Sequence, residues 1–111
     1  MPLARRRSDC PISFALDLFG DRWTLLVIRD LAFKSKNSFS DFLASDEGIA
    51  RNVLADRLAS LETAGFIEKQ PDPDDGRRSI YALTDRGLGL IPVLVEMILW
   101  SAREDPDTGA E

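Results

Sequence analysis

Histidine is absent from the 111-residue sequence, and cysteine occurs once, at position 10. Without histidine the chain lacks the usual acid–base side chain of enzymes and the imidazole ligand of many metal sites. A single cysteine cannot form a disulfide within the chain, and this usage is typical of a reducing cytoplasm. The sequence also lacks a Cys-x-x-Cys, a P-loop and a G-x-S-x-G motif. These absences argue against an enzyme, a cofactor and a metal site.

Long hydrophobic runs are also lacking. The longest, LGLIPVLVEMILW (residues 88–100), is interrupted by Pro92 and Glu96 and is shorter than the roughly 20 residues that span a bilayer. Near the N-terminus, Asp9 and Asp17 interrupt the apolar core that a secretory signal would need. The sequence therefore predicts one soluble cytoplasmic domain with no membrane partner.

Positive charge is scarce for a protein that binds nucleic acid, because the net charge is −5. From Glu96 onward there are five acids and one base, a net charge of −4, which leaves −1 for the first 95 residues. A near-neutral body can still carry a local basic face, but its non-specific affinity for DNA is expected to be weak. We expect residues 1–9 to form a flexible basic arm, residues 10–102 to form the domain, and residues 103–111 to form a flexible acidic tail.

Four segments in the first part of the chain are predicted to be helical. They are residues 11–19, 22–33, 40–44 and 51–64. Pro11 suits the first turn of the first helix, and Asp21 is the predicted N-cap of the second. Ser38 and Asp41 have the spacing of a capping box, which predicts the short third helix.

A β-hairpin is predicted after the fourth helix. The strands FIEKQ (66–70) and SIYAL (79–83) flank PDPDDGR (71–77), which is dense in the Pro, Asp and Gly residues that form turns. Thr84 begins a last helix, which Pro92 kinks or restarts. A short helix, a glycine turn and a longer helix, followed by a hairpin, make a winged helix-turn-helix. The predicted fold is mainly α with one small β-hairpin, the wing.

Several motifs along the chain occur together in a specific order. They are Cys10-Pro11, GDRW (20–23), Arg29, FSDF (39–42), GIARNVLADRLASLETAGFIEK (48–69), YALTDRG (81–87) and LIPVLVEMILW (90–100). Their order and spacing resemble the HxlR family of bacterial winged-helix transcription regulators over residues 10–102. The wing DPDDGRR is also similar to the Asp/Arg-rich wing of the related MarR family. Where the HxlR family commonly has Ser or Thr after Gly-Ile, this sequence has Ala50, so a side-chain cap worth about 1 kcal/mol is missing.

The resemblance implies a dimeric DNA-binding regulator whose N- and C-terminal helices form the interface. The last predicted helix supports a dimer independently, because it is apolar on several sides and a small domain covers only one of them. The alternative is that all of these side chains pack within one subunit. The expected interface residues are Ile12, Leu16, Leu90, Val93, Leu94, Met97, Ile98 and Trp100.

The fourth predicted helix has one apolar stripe, with Leu54, Leu58 and Leu61, and an opposite polar face. A recognition helix reads bases with its N-terminal half. The candidates are Arg51, Asn52, Ala55, Asp56 and, beside the stripe, Arg57. Arginine pairs with guanine, asparagine with adenine and aspartate with the cytosine amine, while alanine contacts the thymine methyl group. The alternative is a plain solvated face.

Two further groups of residues are expected to contact DNA. Ser38 and Ser40 lie at the start of the short helix, where backbone amides bind phosphate. Capping alone is the alternative role of these serines. Arg77 and Arg78 lie at the wing tip, from which arginine reaches phosphates or the minor groove. The alternative is pairing with acids of the same turn, worth typically under about 1 kcal/mol.

Cys10 precedes Pro11 at the expected start of the first helix. Helix N-terminal amides and nearby arginines, here Arg5, Arg6 and Arg7, favour the reactive thiolate form of a cysteine. Some members of the resembled family sense quinones, aldehydes or disulfide stress through a cysteine at this place. The resemblance therefore implies a sensor of oxidants or electrophiles, whereas a small buried residue without chemistry is the alternative.

These observations predict a cytoplasmic homodimer that regulates transcription by binding an inverted repeat in double-stranded DNA, with repression preferred over activation. A hydrophobic pocket between the dimer helices would accept a small aromatic effector. The acidic charge balance supports a second hypothesis, a winged-helix module that binds protein rather than DNA.

Overall fold

The computed structural model describes residues 8–108, which form six helices and one two-stranded antiparallel sheet. In chain order the elements are α1 (Pro11–Phe19), α2 (Thr24–Phe33), α3 (Phe39–Leu43), α4 (Arg51–Thr63), β1 (Ile67–Pro71), β2 (Ser79–Leu83), α5 (Asp85–Leu88) and α6 (Ile91–Glu104). The predicted fold, mainly α with a small β-hairpin, is confirmed. The predicted basic arm lies, except for residues 8 and 9, outside the described residues.

Polar side chains bind the first amides of α2 and α3, although the N-cap of α2 is Trp23 and not the predicted Asp21. Asp21 Oδ2 accepts hydrogen bonds from the backbone N–H groups of Trp23 and Thr24, at 2.9 and 3.0 Å, so α2 begins two residues later than predicted. Ser38 Oγ accepts from the N–H of Asp41 at 3.2 Å, and the Asp41 carboxylate accepts from the Ser38 N–H, which completes the predicted capping box of α3.

The core lies between α4 and the two helices before it. Leu54, Leu58 and Leu61 of α4 are buried, as the stripe predicted, and belong to one cluster with Ile28 of α2 and Phe42 of α3. Each buried leucine contributes about 1.5–3 kcal/mol relative to an exposed one. This packing fixes the rotation of α4 about its axis and leaves its opposite face in solvent.

The hairpin follows a left-handed turn at Gly65, whose φ is +83°. The N–H of Phe66 bonds to the carbonyl of Leu61 at 3.0 Å, so Phe66 closes α4 and β1 begins one residue later than predicted. The base of the wing is also tied to the linker before α3. The N–H of Tyr81 donates to the carbonyl of Asn37 at 2.8 Å, and Ser38 forms a β-bridge with Ile80.

The predicted last helix is divided in two. Thr84 caps α5 by accepting from the N–H of Gly87 at 3.1 Å, and α5 ends at Leu88. The chain then begins α6, with Pro92 in the first turn, where its missing N–H is harmless. Helix α6 continues to Glu104, so the acidic tail predicted from residue 103 actually starts inside the helix, and Asp105 is the C-cap.

A buried carboxylate connects α2 to the turn between α3 and α4. Asp30 is 3% exposed, and its Oδ2 accepts from Ser45 Oγ at 2.7 Å. Its Oδ1 accepts from Nε and Nη2 of Arg29, at 3.0 and 2.8 Å. The negative charge of Asp30 is therefore paired and hydrogen-bonded, as a buried charge requires.

The same arginine reaches a second acid of that turn. Arg29 Nη1 and Nη2 donate to the two carboxylate oxygens of Glu47, at 2.8 and 2.9 Å. These hydrogen bonds lower the pKa of Glu47 to about 2 and raise the pKa of Arg29. We call Arg29, Asp30, Ser45 and Glu47 the Arg29 clamp.

Substituting alanine for Gly87 tests the close approach of α5 to the end of α4. A Cβ atom there would lie 2.1 Å from the carbonyl oxygen of Phe66, a backbone atom that cannot rotate away. We expect Gly87→Ala to lower the free energy of unfolding by about 1–3 kcal/mol despite the better helix propensity of alanine. Gly76→Ala is the control, since a Cβ there meets nothing within 4 Å. Equal urea midpoints for the two variants would contradict this prediction.

The lowered pKa of Glu47 predicts a dependence of stability on pH. Its carboxylate stabilises the folded chain above the ordinary pKa of 4.5, and this contribution is lost as the pH falls towards about 2. Because Glu47 is 38% exposed, we discount the shift for solvent screening to about 1 kcal/mol. Glu47→Gln should be less stable than the parent at pH 7 and equally stable near pH 2, as measured by urea unfolding. Asp46→Asn, at a side chain with no hydrogen bond or ion pair among residues 8–108, is the control for removing one carboxylate from the same turn.

Candidate nucleic-acid interface

Helix α3, the turn containing Gly48 and helix α4 form the helix-turn-helix. Gly48 has φ of +71° and lies in open space, so it supplies the left-handed turn between the helices. The outer face of the first two turns of α4 is exposed. It carries four of the predicted base-contacting residues, Arg51, Asn52, Ala55 and Asp56.

The starts of α3 and α4 lie side by side. The guanidinium of Arg51 lies 5.9 Å from the centre of the Phe39 ring, at the outer limit of a cation–π contact. Ala50, the N-cap of α4, makes no side-chain cap hydrogen bond, as its sequence predicts. The position of the first turn of α4, which includes Arg51, is therefore set by packing and by the preceding turn.

Arg57 does not belong to this exposed face, which corrects the prediction. Its Nε lies 3.4 Å from Asp21 Oδ2, and its Nη1 lies 3.5 Å from Asp56 Oδ2. The Nε atom is buried and makes no hydrogen bond with residues 8–108, so its contact with Asp21 is ionic only. The side chain connects α4 to the loop between α1 and α2 through its ion pair with Asp21.

Of the two serines at the start of α3, only Ser40 is exposed. Ser38 is 3% exposed, lies under the wing and uses its hydroxyl for the capping box, so its predicted contact with phosphate is wrong. The two hydroxyl oxygens lie 3.3 Å apart. Ser40 and the first amides of α3 remain at the surface that a phosphate would approach.

The wing tip carries one almost fully exposed arginine. Arg77 has a side chain 94% exposed, with its Nε 3.5 Å from Asp75. Arg78 is half-exposed, and its Nε lies 3.8 Å from Asp72 Oδ2. Burial acts to raise the pKa of Asp41 in α3, but hydrogen bonds from neighbouring residues and the positive charge of Arg78 lower it. Arg78 is therefore within electrostatic reach of α3.

A separate apolar surface lies on the terminal helices. The exposed residues predicted for a dimer interface are Ile12 and Leu16 of α1 and Met97, Ile98 and Trp100 of α6, with Val93 half-buried. Leu90 and Leu94 are instead buried in the core of the chain, because the first turn of α6 packs inward, and they cannot line an interface directly.

Sequence reasoning missed part of this apolar surface. Val95 and Leu99, spaced i and i+4 on α6, and Phe33 of α2 are also exposed. The i, i+4 spacing was the signal that could have identified the first two. Between α2 and α6 lies an open groove of about 480 Å³, lined mainly by apolar side chains and by Arg29. The groove lies between two helices of one chain, and its Met97 and Ile98 are also residues predicted for the dimer interface.

Cys10 is exposed and is the N-cap of α1. Its carbonyl accepts from the N–H of Phe14 at 3.0 Å, and its own N–H donates to Ser8 Oγ at 3.2 Å. The thiol makes no cap hydrogen bond and faces solvent rather than the core. The three arginines predicted to act on it, Arg5, Arg6 and Arg7, lie outside the described residues.

Two classes of site find no support within residues 8–108. No group of three His, Cys, Asp or Glu residues in this part of the chain could hold a metal ion. None of its helices combines the length and the apolar character needed to cross a bilayer.

Known proteins match this chain over most of its length. Residues 18–107 match the family model HxlR-like helix-turn-helix. The chain is 38% identical over 88 residues to the HTH-type transcriptional regulator sll1512 of Synechocystis, covering 79% of this chain and 64% of that protein. It is 34% identical over 105 residues to the HTH-type transcriptional regulator YodB of Bacillus subtilis, covering 92% and 93%. The chain thus spans less than two thirds of sll1512 but nearly all of YodB.

Solved structures share this architecture. The crystal structure of PA1607, a transcription factor by its description, superposes with a TM-score of 0.82 at 36% identity, covering 94% of this chain and 72% of that one. The reduced form of YodB from B. subtilis gives a TM-score of 0.69 at 30% identity, covering 92% and 99%. The chain therefore belongs to the HxlR-like helix-turn-helix family of transcriptional regulators.

Proposed function

We propose that this chain acts in the bacterial cytoplasm as a homodimeric, non-enzymatic regulator that binds an inverted repeat in DNA and represses transcription by occluding a promoter. One observation carries the proposal. The second helix of the helix-turn-helix buries its leucine stripe and turns Arg51, Asn52, Ala55 and Asp56 outwards at its N-terminal end. This is the end with which a recognition helix contacts base edges.

The chemistry of that face suits the major groove. Arg51 offers a fork of donors to guanine, and Asn52 offers a donor and an acceptor to adenine. Asp56 accepts from a cytosine amine, and the methyl group of Ala55 packs on thymine. Because few cations are available to neutralise phosphates, specific contacts must supply much of the affinity.

The remaining contacts would come from the elements beside α4. Arg77 reaches outwards from the wing tip, and its ion pair with Asp75 at 3.5 Å is too exposed to compete strongly with a phosphate. Arg78 and Ser40 would bind the backbone nearer to α3. These contacts would fix the orientation of the protein on the duplex.

The apolar surface of α1 and α6 supports the homodimer. Trp100 and Ile12 are 60% and 71% exposed, and a face of this kind is ordinarily covered. A second copy of the chain would cover it and place two α4 helices about one helical turn of DNA apart, or a multiple of this distance.

Cys10 suits the role of a sensor of electrophiles or oxidants, since its thiol is exposed at the start of a proposed dimer helix. YodB, the B. subtilis relative, has been solved in a reduced form and with quinone bound. On this chain the thiolate would add to a ring carbon of a quinone, and the ring would take up a proton. A small aromatic effector in the groove between α2 and α6 is a second way to act on the same helices.

Substitutions on α4 and the wing test DNA binding. The preferred duplex is first selected from a random pool, and affinities are then measured by fluorescence anisotropy at several salt concentrations. Arg51→Ala should weaken binding by about 10- to 100-fold and relax the preference at one base pair. Arg77→Ala should weaken binding to all duplexes and lower the salt slope by about one. Arg103→Ala, on α6, is the control for loss of one charge.

If the parent shifts no duplex at any salt concentration, DNA binding is refuted and the protein-interaction module becomes the better explanation. If Arg51→Ala binds like the Arg103→Ala control, α4 is not the reading element.

The sensor role predicts a response that depends on one atom. Treatment with a quinone or with diamide should release the parent from its duplex, because a modified Cys10 alters how α1 packs against a partner subunit. Cys10→Ser keeps the size and the N-cap position and should remain bound. Release of both proteins by the same dose would rule out Cys10 as the sensor.

A further inference from the structure

The turn before α4 is held by α2. Arg29 grips both carboxylate oxygens of Glu47 with hydrogen bonds of 2.8 and 2.9 Å. The neighbouring Asp30 accepts from Ser45 at 2.7 Å. Two residues of the turn, positions 45 and 47, are therefore fixed to two consecutive residues of one helix. A bidentate arginine–carboxylate pair also fixes orientation, which a single contact does not.

Apart from the burial of Leu54, no side-chain cap helps to hold the first turn of α4. Ala50 has no side-chain oxygen to cap the helix. Gly48, between the clamp and α4, adopts φ of +71° and has the backbone freedom of glycine. Only three residues separate Glu47 from Arg51, so the position of Glu47 limits where the helix can begin.

The negative charge of Glu47 distinguishes a geometric role in DNA binding from an electrostatic one. A carboxylate beside a surface that binds phosphates disfavours DNA, and the chain already carries a net charge of −5. Yet this carboxylate is exposed by more than a third and is paired with an arginine that is largely shielded. Any benefit of Glu47 to DNA binding must therefore be geometric and not electrostatic.

We propose that Arg29 and Glu47 are positioning residues, whose paired side chains set the place and direction of the first turn of α4. They would thereby determine how Arg51 and Asn52 meet base edges. The effect on DNA rests on the proposed function. In the free protein, the same pair should hold the start of α4 whether or not DNA is bound.

The test compares two neighbouring neutralisations. Asp46→Asn and Glu47→Gln each remove one negative charge from the same turn, and Asp46 makes no hydrogen bond or ion pair with residues 8–108. Electrostatics alone predicts that both variants bind the selected duplex as tightly as the parent or more tightly. If Glu47 positions α4, the two variants should differ in affinity for DNA. Asp46→Asn should bind the selected duplex as tightly as the parent or more tightly. Glu47→Gln should bind the selected duplex about tenfold more weakly and a random duplex almost as tightly as the parent.

Arg29→Lys is the second variant. It conserves the charge, but an ammonium group cannot form the two parallel hydrogen bonds of a guanidinium. It should lose specific affinity as Glu47→Gln does. All affinities are measured well below each variant's melting temperature, with circular dichroism as the check that the chains are folded.

Hydrogen–deuterium exchange of the free protein supplies a readout that does not need DNA. Glu47→Gln and Arg29→Lys should increase exchange of the first hydrogen-bonded amides of α4, those of residues 54–57, and leave those of α6 unchanged. Asp46→Asn should match the parent. If the parent binds no duplex, the proposed function fails, and exchange alone decides whether the pair positions α4. Parent-like exchange in both clamp variants, or parent-like specific affinity, overturns the proposal.

Discussion

Burial of three leucines on one side of α4 is the constraint on which the exposed surface depends. Leu54, Leu58 and Leu61 are each 2% exposed or less, so α4 cannot rotate without returning apolar surface to water. At about 25 cal/mol per Å² of such surface, the cost rises quickly with rotation. The polar face beginning at Arg51 is therefore presented by packing on the opposite side of the helix. In this sense the core of the domain specifies which face of α4 is available for the proposed contacts with bases.

Features set by neighbours in sequence could be predicted. The leucine stripe, the Ser38–Asp41 capping box and the restart at Pro92 each follow from spacing or from the chemistry of one residue. The Arg29 clamp could not, because 18 positions separate Arg29 from Glu47 and no periodicity connects them. The burial of Ser38 and the ion pair of Arg57 with Asp21 could not be predicted either, because both depend on segments that are distant in sequence.

Acidic residues accompany most of the arginines near the proposed interface. Arg57 lies beside Asp21, Arg77 beside Asp75 and Arg78 beside Asp72. Arg51 differs, because it rests on the Phe39 ring and has no ion pair among residues 8–108. Non-specific attraction to DNA is reduced where each cation has a local partner. Discrimination between DNA sequences would then depend on the few side chains, such as Arg51, that can give up a contact within the protein and form one with a base.

The bridge between Ser38 and Ile80, with the hydrogen bond from Tyr81 to Asn37, ties the linker before α3 to the base of the wing. The hairpin is consequently not an independent arm hinged only at Gly65 and Thr84. A tilt of α3 would therefore pull on the base of the wing through these two contacts and change the distance between the wing tip and α4.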